Sequence, residues 1–565
     1  MDPADALMKE ISCYGVAGRP LRGVVALLTE APSTLAELIA ASAVPRRTVE
    51  QLLDVIGDDL VADGARFRIR EGKILHYRER IGYQQLCASS VPDPLSQRLA
   101  DRAGLVHDMA RWIEDAPEPV TGLDHVPATP ETVVRRGLWL AGTFDLAGAN
   151  VLFLGDHDLT SLAVAAISPE ANVAIADVDE RVLAHIGGLA RDRRLQARCR
   201  YADLRFGLPA DLEGWAGLVF TDPPYTPEGA GLFLARGLQS LRHREHGRVV
   251  VAYGYSDRHP SLGRQVQESM QRLGVVFEAI LPRFSRYTGA QAVGSASDLY
   301  VCRPTSRTWK VLPAAQEALV TGIYTHGPQA AEAAPPALGQ EAAEALQAAA
   351  GEGGVPVGAW VTSREPPGGS TGAKVRLETL FARGLPARLH PAAAVVDLAA
   401  DPGAWLLRAL LAANCGRLAI AVPAGHPDIR TGQARGELQH LVQHKFTLSF
   451  LPAAAGAGNA IVLAAQSPAG DGVARLTRYV LSRAHGKIGN AWREGLIRAA
   501  QEPGTQPMTK NQARAIIGAT APPEYLDTSL MALPRQQIAG LLAMLAASAQ
   551  AAGPEAGQPA SSDDR

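Results

Sequence analysis

The chain has 565 residues, enough for about three or four domains. Lys and Arg number 55 and Asp and Glu 57, a formal charge of −2 that argues against global attraction to nucleic acid or to an anionic membrane. Charged residues at 20% and aromatics at 5% fit a soluble helix-and-sheet protein and exclude a collagen-like one. The charge is uneven. Up to Pro304 there are 33 basic and 38 acidic residues, a net of −5; from Thr305 onward there are 22 and 19, a net of +3. The first part is therefore the better candidate for a cationic ligand. Cys13, Cys87, Cys199, Cys302 and Cys415 are scattered and form no CxxC pair, which excludes a zinc ribbon or disulfide framework and points to a reducing compartment. The opening MDPADALMKE has no signal-peptide pattern, and no apolar run reaches about 18 residues. A cytoplasmic protein without membrane contact is expected.

Residues 1–85 predict a winged-helix-like domain. Thr34 and Glu37 have capping-box spacing before Leu35, Leu38 and Ile39. After a turn at Ala43-Val44-Pro45, Val49, Leu52, Leu53 and Ile56 recur at helical spacing. Leu60–Arg70 then predicts a hairpin with Asp63-Gly64 at its tip. Such a module binds DNA or covers a substrate or dimer interface. With only Arg46 and Arg47 on the second helix, DNA binding is the weaker alternative. Residues 86–305 predict a doubly wound α/β domain. Its helix from Thr129-Pro130 is followed by the strand-like runs NVLFLG, VAIADVD, RCRYADL, GLVFTDPPY, RVVVAYGY, VVFEAILPRF and SDLYVCRP. Residues 306–358 are rich in Ala, Gly, Glu and Pro and predict a linker, partly helical. Residues 359–548 predict a second, smaller α/β domain, and 549–565 a disordered tail.

In parallel sheets ligands bind beyond the carboxyl ends of the strands. The first such end is Gly155-Asp156-His157-Asp158. With one glycine and two carboxylates it repels a phosphate and suits a nucleoside carrying a sulfonium or ammonium; alternatively Asp158 caps the following helix. The second end, Asp177-Val178-Asp179, suits ribose hydroxyls, or a helix cap. At the third, Asp203 is placed to accept from an adenine amino group. The fourth, Thr221-Asp222-Pro223-Pro224-Tyr225, is rigid and projects a carboxylate and a ring toward an amine nucleophile. Asp156, Asp158, Asp177, Asp179, Asp203 and Asp222 are expected to crowd one sheet edge unpaired, a site that a polycation would relieve. No His/Cys cluster suggests a metal.

Together these residues resemble the branched-chain polyamine synthases, the N4-bis(aminopropyl)spermidine synthase family. The matching pieces are TPETVVRR at 129–136, GDHDLTS at 155–161, ADVDER at 176–181, ADLRFGLP at 202–209, TDPPYT at 221–226 and SDLY at 297–300, within about the first 305 residues. The resemblance implies a Rossmann-like, class I methyltransferase-like sheet. It also implies aminopropyl transfer from decarboxylated S-adenosylmethionine to a polyamine amine, releasing methylthioadenosine. Asp158 is then the expected base or amine-orienting residue, and Asp222 and Tyr225 share the catalytic turn. Gly155, Asp156, Asp177, Asp179 and Asp203 hold the nucleoside. His157, Asp158, Asp222, Pro223, Pro224 and Tyr225 face the acceptor. A homodimer is expected and a nucleic-acid partner is not. His157 departs from the family's run of three Asp residues and offers a base that titrates near neutrality. Tyr225 makes the turn DPPY, which favours an S-adenosylmethionine-dependent amino-methyltransferase as the alternative. A polyamine-binding regulator is a further one. In the second domain, Val395–Gly403 has the look of a strand followed by a nucleotide loop, as in a degenerate, duplicated or partner sheet, but a structural or dimerising domain is the stronger reading.

Overall fold

The computed structural model describes residues 2–88, 93–317, 322–327, 329–332, 338–389, 391–451, 458–468, 470–501 and 507–552. Contacts divide the chain into two units. The first comprises Met1–Ile175, Gly188–Ala197 and Ala216–His326; the second comprises Ala176–Gly187, Arg198–Trp215 and Gly327–Arg565.

The first unit opens with a helical module. Thr34 accepts from the Glu37 N–H while Glu37 accepts from Thr34, so the expected capping box starts helix Leu35–Ser42. Ala43 ends it in the left-handed region at φ 55°, and helix Arg46–Ile56 follows, burying Val49, Leu52, Leu53 and Ile56. Strands β1 (Ser33–Thr34), β2 (Leu60–Asp63) and β3 (Arg66–Ile69) form an antiparallel sheet in the order β1-β3-β2. The β2–β3 turn uses Gly64 at φ 59°, where a side chain is disfavoured.

The main sheet contains β4 (Asn150–Leu154), β5 (Asn172–Asp177), β6 (Ala197–Tyr201), β7 (Leu218–Thr221), β8 (Arg248–Tyr253), β9 (Val275–Arg286) and β10 (Ala296–Pro304), in the order β6-β5-β4-β7-β8-β10-β9. β4, β7 and β8 are parallel, and their apolar runs are buried along their length. The expectation of a wholly parallel sheet fails at one edge. β10 is antiparallel to both β8 and β9. Residues 287–295 are too few for a parallel crossover, so β9 and β10 must return as a hairpin.

The second unit holds β11 (Val357–Thr362), β12 (Ala373–Arg376), β13 (Ala393–Asp397), β14 (Arg417–Pro423), β15 (Phe446–Leu451) and β16 (Asn459–Gln466), ordered β12-β11-β13-β14-β16-β15. β11, β13 and β14 are parallel, and β16 is antiparallel to β14 and β15. With β6 set aside, this order repeats that of the first sheet strand for strand. The later helices Gly472–Leu481, Ile488–Ala499, Lys510–Thr520 and Arg535–Ala551 belong to the same apolar core, with Trp492 fully buried in it.

Within the span read as a linker, helices occupy Thr308–Glu317 and Gln340–Ala350. The last helix runs to Ala551, three residues into the expected tail; 553–565 lie outside the described residues. Among the described residues no helix is long and apolar enough to cross a membrane.

Candidate active site

Thr129 caps helix Pro130–Thr143 by accepting from the Thr132 N–H, with Pro130 at the first helical position. One turn further along, this helix delivers Arg136, whose side chain is fully buried. Arg136 organises the acids. Its Nη1 donates to Asp158 Oδ2 at 2.6 Å and its Nη2 to Asp222 Oδ2 at 2.7 Å. Further bonds go to the Tyr287 hydroxyl at 2.9 Å, Ser285 Oγ at 3.1 Å and Thr160 Oγ1 at 3.3 Å. Its guanidinium carbon lies 5.1 Å from the centre of the Phe220 ring. A guanidinium spans two carboxylates in this way because its donors diverge in one plane.

Arg136 was not singled out from the sequence. The available signal was a charged residue at helical spacing between the buried Val133 and Leu140, since a buried charge is normally paired.

The two carboxylates are brought together but are held differently. The other oxygen of Asp158, Oδ1, accepts from the Ala128 N–H at 2.8 Å. Burial opposes its ionisation, but the charges of His157 and Arg136 outweigh burial and hold Asp158 below its ordinary range. Asp222 also accepts from the Tyr287 hydroxyl, at 2.6 Å. There burial wins over Arg136, helped by the negative charge of Asp158, and Asp222 is pushed above the usual carboxyl value. Burial likewise raises Tyr225 well above an ordinary phenol.

The turn after β4 places the remaining residues. Gly155 has φ 68° and Leu159 φ 62°, a left-handed conformation that costs a side-chain-bearing residue energy. Asp156, not Asp158, serves helix Thr160–Ile167: its oxygens accept from the Ser161 N–H at 3.2 and 3.3 Å. The capping alternative for Asp158 is therefore excluded. His157 stacks on His125, with ring centres 4.5 Å apart and planes within 6°. Its Nε2 lies 3.2 Å from the Val126 carbonyl oxygen and 3.4 Å from Asp158 Oδ1.

The Asp222–Tyr225 turn is fastened by residues the sequence reading did not select. Asp124 accepts from the Tyr225 N–H at 3.2 Å and from the Thr325 N–H at 2.9 Å. Thr226 caps helix Pro227–Ser240 and donates to the Ile323 carbonyl at 2.6 Å. Pro224 packs so closely on Gly229 that a side chain there would meet it at 2.7 Å. The N-terminal module is tied to the segment between β9 and β10, where Arg46 Nη1 donates to Gln291 Oε1 at 2.9 Å.

Asp177, Asp179 and Asp203 belong to the second unit. Asp177 accepts from the Asp179 N–H at 2.8 Å, and Asp179 pairs with Arg181 at 2.6 Å. Asp203 pairs with Arg205 at 2.6 Å and accepts from Trp405 Nε1 at 2.9 Å. Burial opposes the charge of Asp203, but Arg205 and Trp405 bring it below the ordinary value. The expectation of an unpaired anionic cluster is thus corrected. Asp158, Asp222, Asp179 and Asp203 are each matched by an arginine, because a buried carboxylate without a partner is too costly.

The loop after β13 is held by its own acid. By strand order it stands where the first sheet has its Asp222 turn, not its Gly155 turn. Asp401 accepts from the N–H groups of Gly403, Ala404 and Trp405 at 2.7, 2.9 and 3.0 Å and pairs with His426 at 3.0 Å. Its carboxylate is taken up inside the loop.

Residues 104–316 match the family model for the branched-chain polyamine synthase A C-terminal domain. The matched segment contains Arg136, Asp158, Asp222, Tyr225 and Tyr287. An uncharacterized protein of Methanocaldococcus jannaschii is 32% identical over 213 residues, covering 38% of this chain and 53% of the relative. An N(4)-bis(aminopropyl)spermidine synthase of Thermococcus kodakarensis is 31% identical over 214 residues, 37% of this chain and 57% of the relative. The chain thus spans about half the length of these curated relatives. The solved branched-chain polyamine synthase of Thermus thermophilus, in complex with N4-aminopropylspermidine and 5'-methylthioadenosine, matches at 20% identity and a TM-score of 0.38. That match covers 54% of this chain and 93% of the solved one.

Proposed function

We propose that the chain transfers an aminopropyl group from decarboxylated S-adenosylmethionine to a polyamine amine of the spermidine type and releases methylthioadenosine. The observation that carries this reading is that the family match contains the whole Arg136–Asp158–Asp222–Tyr287 cluster.

A neutral amine attacks the methylene carbon beside the sulfonium, the C–S bond breaks, and neutral thioether leaves. The protein's part is alignment and exclusion of water. Arg136 ties Asp158 and Asp222 to one guanidinium and so holds both carboxylates in place. Asp222, Pro223, Pro224 and Tyr225 line the acceptor side, with the Tyr225 ring offered to a cation. Gly155, Asp156, Asp177, Asp179 and Asp203 are proposed for the nucleoside, with Asp177 on the ribose. The N-terminal module, read as a winged helix, is proposed to support the site rather than bind DNA, since the first turn of its second helix is already engaged by Gln291. A cytoplasmic homodimer completes the proposal, with domain limits near 85, 305 and 358.

The test is incubation of the purified chain with spermidine and either S-adenosylmethionine or its decarboxylated form. Methylthioadenosine and a product heavier by one aminopropyl group are expected. The DPPY turn favours methylation as the second reading. S-adenosylhomocysteine with a methylated product would establish that reading and overturn the first.

A further inference from the structure

The two carboxylates that Arg136 ties together differ in what they leave open. Asp158 spends both oxygens on the protein, Oδ1 on the Ala128 N–H and Oδ2 on Arg136. Asp222 spends one. Its Oδ2 accepts from Arg136 Nη2 at 2.7 Å and from the Tyr287 hydroxyl at 2.6 Å, and no hydrogen bond from the described residues reaches its Oδ1. Among the described residues, the fully buried side-chain atoms that lack a partner do not include Oδ1, so it keeps a small opening. A carboxylate oxygen without a donor is costly in such a site unless water or a ligand N–H meets it. The Tyr287 hydroxyl has a single proton to give. It gives that proton to Asp222 Oδ2 and accepts from Arg136 Nη2 at 2.9 Å, so in its 2.8 Å contact with Ser297 the Ser297 hydroxyl is the donor. Arg136, Tyr287 and Ser297 together pin one oxygen of Asp222 and leave the other unengaged.

We infer that Asp222 Oδ1 takes the proton from the acceptor amine, and that Tyr287, held by Ser297, is the positioning residue that keeps Oδ1 for that use. This rests on the aminopropyl-transfer reading. In the step, the ammonium of the acceptor gives one proton to Asp222 Oδ1. The freed lone pair forms the N–C bond to the methylene carbon, and the C–S pair passes to sulfur. The product leaves as an ammonium, and the Asp222 carboxylic acid returns its proton to water. The positive sulfonium of the donor makes the ammonium readier to give up its proton. The groups that face Asp222 suit the role. Arg136 on its helix, His157 on the turn after β4 and the Tyr287 hydroxyl favour the carboxylate. Burial and the charge of Asp158 oppose it and prevail, while Tyr225 on the same turn stays a neutral phenol. Asp222 is therefore the stronger base of the two acids, and Asp158, held below its ordinary range, is the weaker.

The test uses the full chain, spermidine and decarboxylated S-adenosylmethionine, with methylthioadenosine release followed from pH 5 to 9. The wild-type kcat is expected to fall on the acid side as Asp222 becomes protonated. Asp222→Asn keeps an oxygen for Arg136 and Tyr287 but no base, and is expected to lower kcat by about 100-fold or more. Tyr287→Phe removes a hydrogen bond that favours the carboxylate, so the acid limb should move up by about one pH unit. Asp158→Asn removes a negative charge that opposes ionisation of Asp222, so the limb should move down by a similar amount. A merely structural role for Tyr287 and Asp158 lowers activity without moving the limb in opposite directions. A kcat for Asp222→Asn within about tenfold of wild type, too small a loss for a missing base, overturns the inference and leaves the transfer reading intact. So does an Asp158→Asn profile with no acid limb, since Asp158 is then the base, or a limb that stays in place in both other variants. The two limb shifts decide the matter should Asp222→Asn fail to fold. No methylthioadenosine from the wild-type chain overturns both the reading and the inference.

Discussion

Replacing Arg136 by Met removes the guanidinium that holds Asp158 and Asp222 together. The side chain is fully buried and makes five hydrogen bonds, two of them to carboxylates that are 3% and 5% exposed. Asp158 then keeps the Ala128 N–H and Asp222 keeps the Tyr287 hydroxyl, but neither keeps a cation. Removing one partner of a buried ion pair costs about 3–5 kcal/mol, and two carboxylates are stranded here, so the upper part of that range is expected. The cost depends on pH. The folded-state value of Asp158 lies below its unfolded one, so its pairing stabilises the fold above the ordinary carboxyl range and is lost on acidification through the folded value. Without Arg136, burial pushes Asp158 upward and Asp222, already raised, higher still. Both then stabilise the fold only when protonated. The gap between wild type and variant should be widest at pH 8 and narrow at pH 5. Urea unfolding of the full chain, followed by circular dichroism at both pH values, measures it. A gap under about 1 kcal/mol at pH 8, below the usual cost of an orphaned buried group, or an equal gap at both pH values, refutes the reasoning.

Tyr287→Phe removes the hydroxyl shared by Asp222, Ser297 and Arg136, and should destabilise the first unit by about 1–3 kcal/mol; a neutral result in the same unfolding assay counts against the network. Lys445 is buried, donates to the Leu411 carbonyl at 2.6 Å, and is pushed down to about 7 by burial. The unfolded chain therefore binds that proton more tightly, so wild-type stability should rise from pH 7 toward 10, by at most about 1.4 kcal/mol per pH unit for this group. Lys445→Met should lack that rise and be more stable at pH 7; parallel pH profiles for the two proteins would show the burial argument to be wrong. Thr34→Ala breaks the capping box and should cost about 1 kcal/mol, read as a lower midpoint of thermal unfolding.

Local chemistry in the sequence was enough to place the caps, turns and apolar runs. Thr34 with Glu37, Thr129 with Pro130, and Gly64 in its hairpin each act through neighbours within a few residues, so chain order alone reveals them. The strand ends carrying Gly155 and Asp222 were legible for the same reason, since a β-branched run followed by a rigid or glycine-bearing turn needs no tertiary partner. The order of six distinct motifs also pointed to the synthase family from the amino-acid sequence alone. What escaped was every relation between distant positions. Arg136 meets Asp158, Asp222 and Tyr287 at sequence separations of 22, 86 and 151 residues. An acidic row read along the chain has no visible counter-ions, so it appears as a site awaiting a polycation. Only the tertiary structure decided that most of those acids are already matched by arginines, because a buried carboxylate is costly unless a cation or hydrogen-bond donors meet it. The direction of β10, the repeat of strand order in the second sheet, and the occupation of Asp401 by its own loop were decided at that level too. They depend on which strands become neighbours, and periodicity along a chain carries no record of neighbours across it.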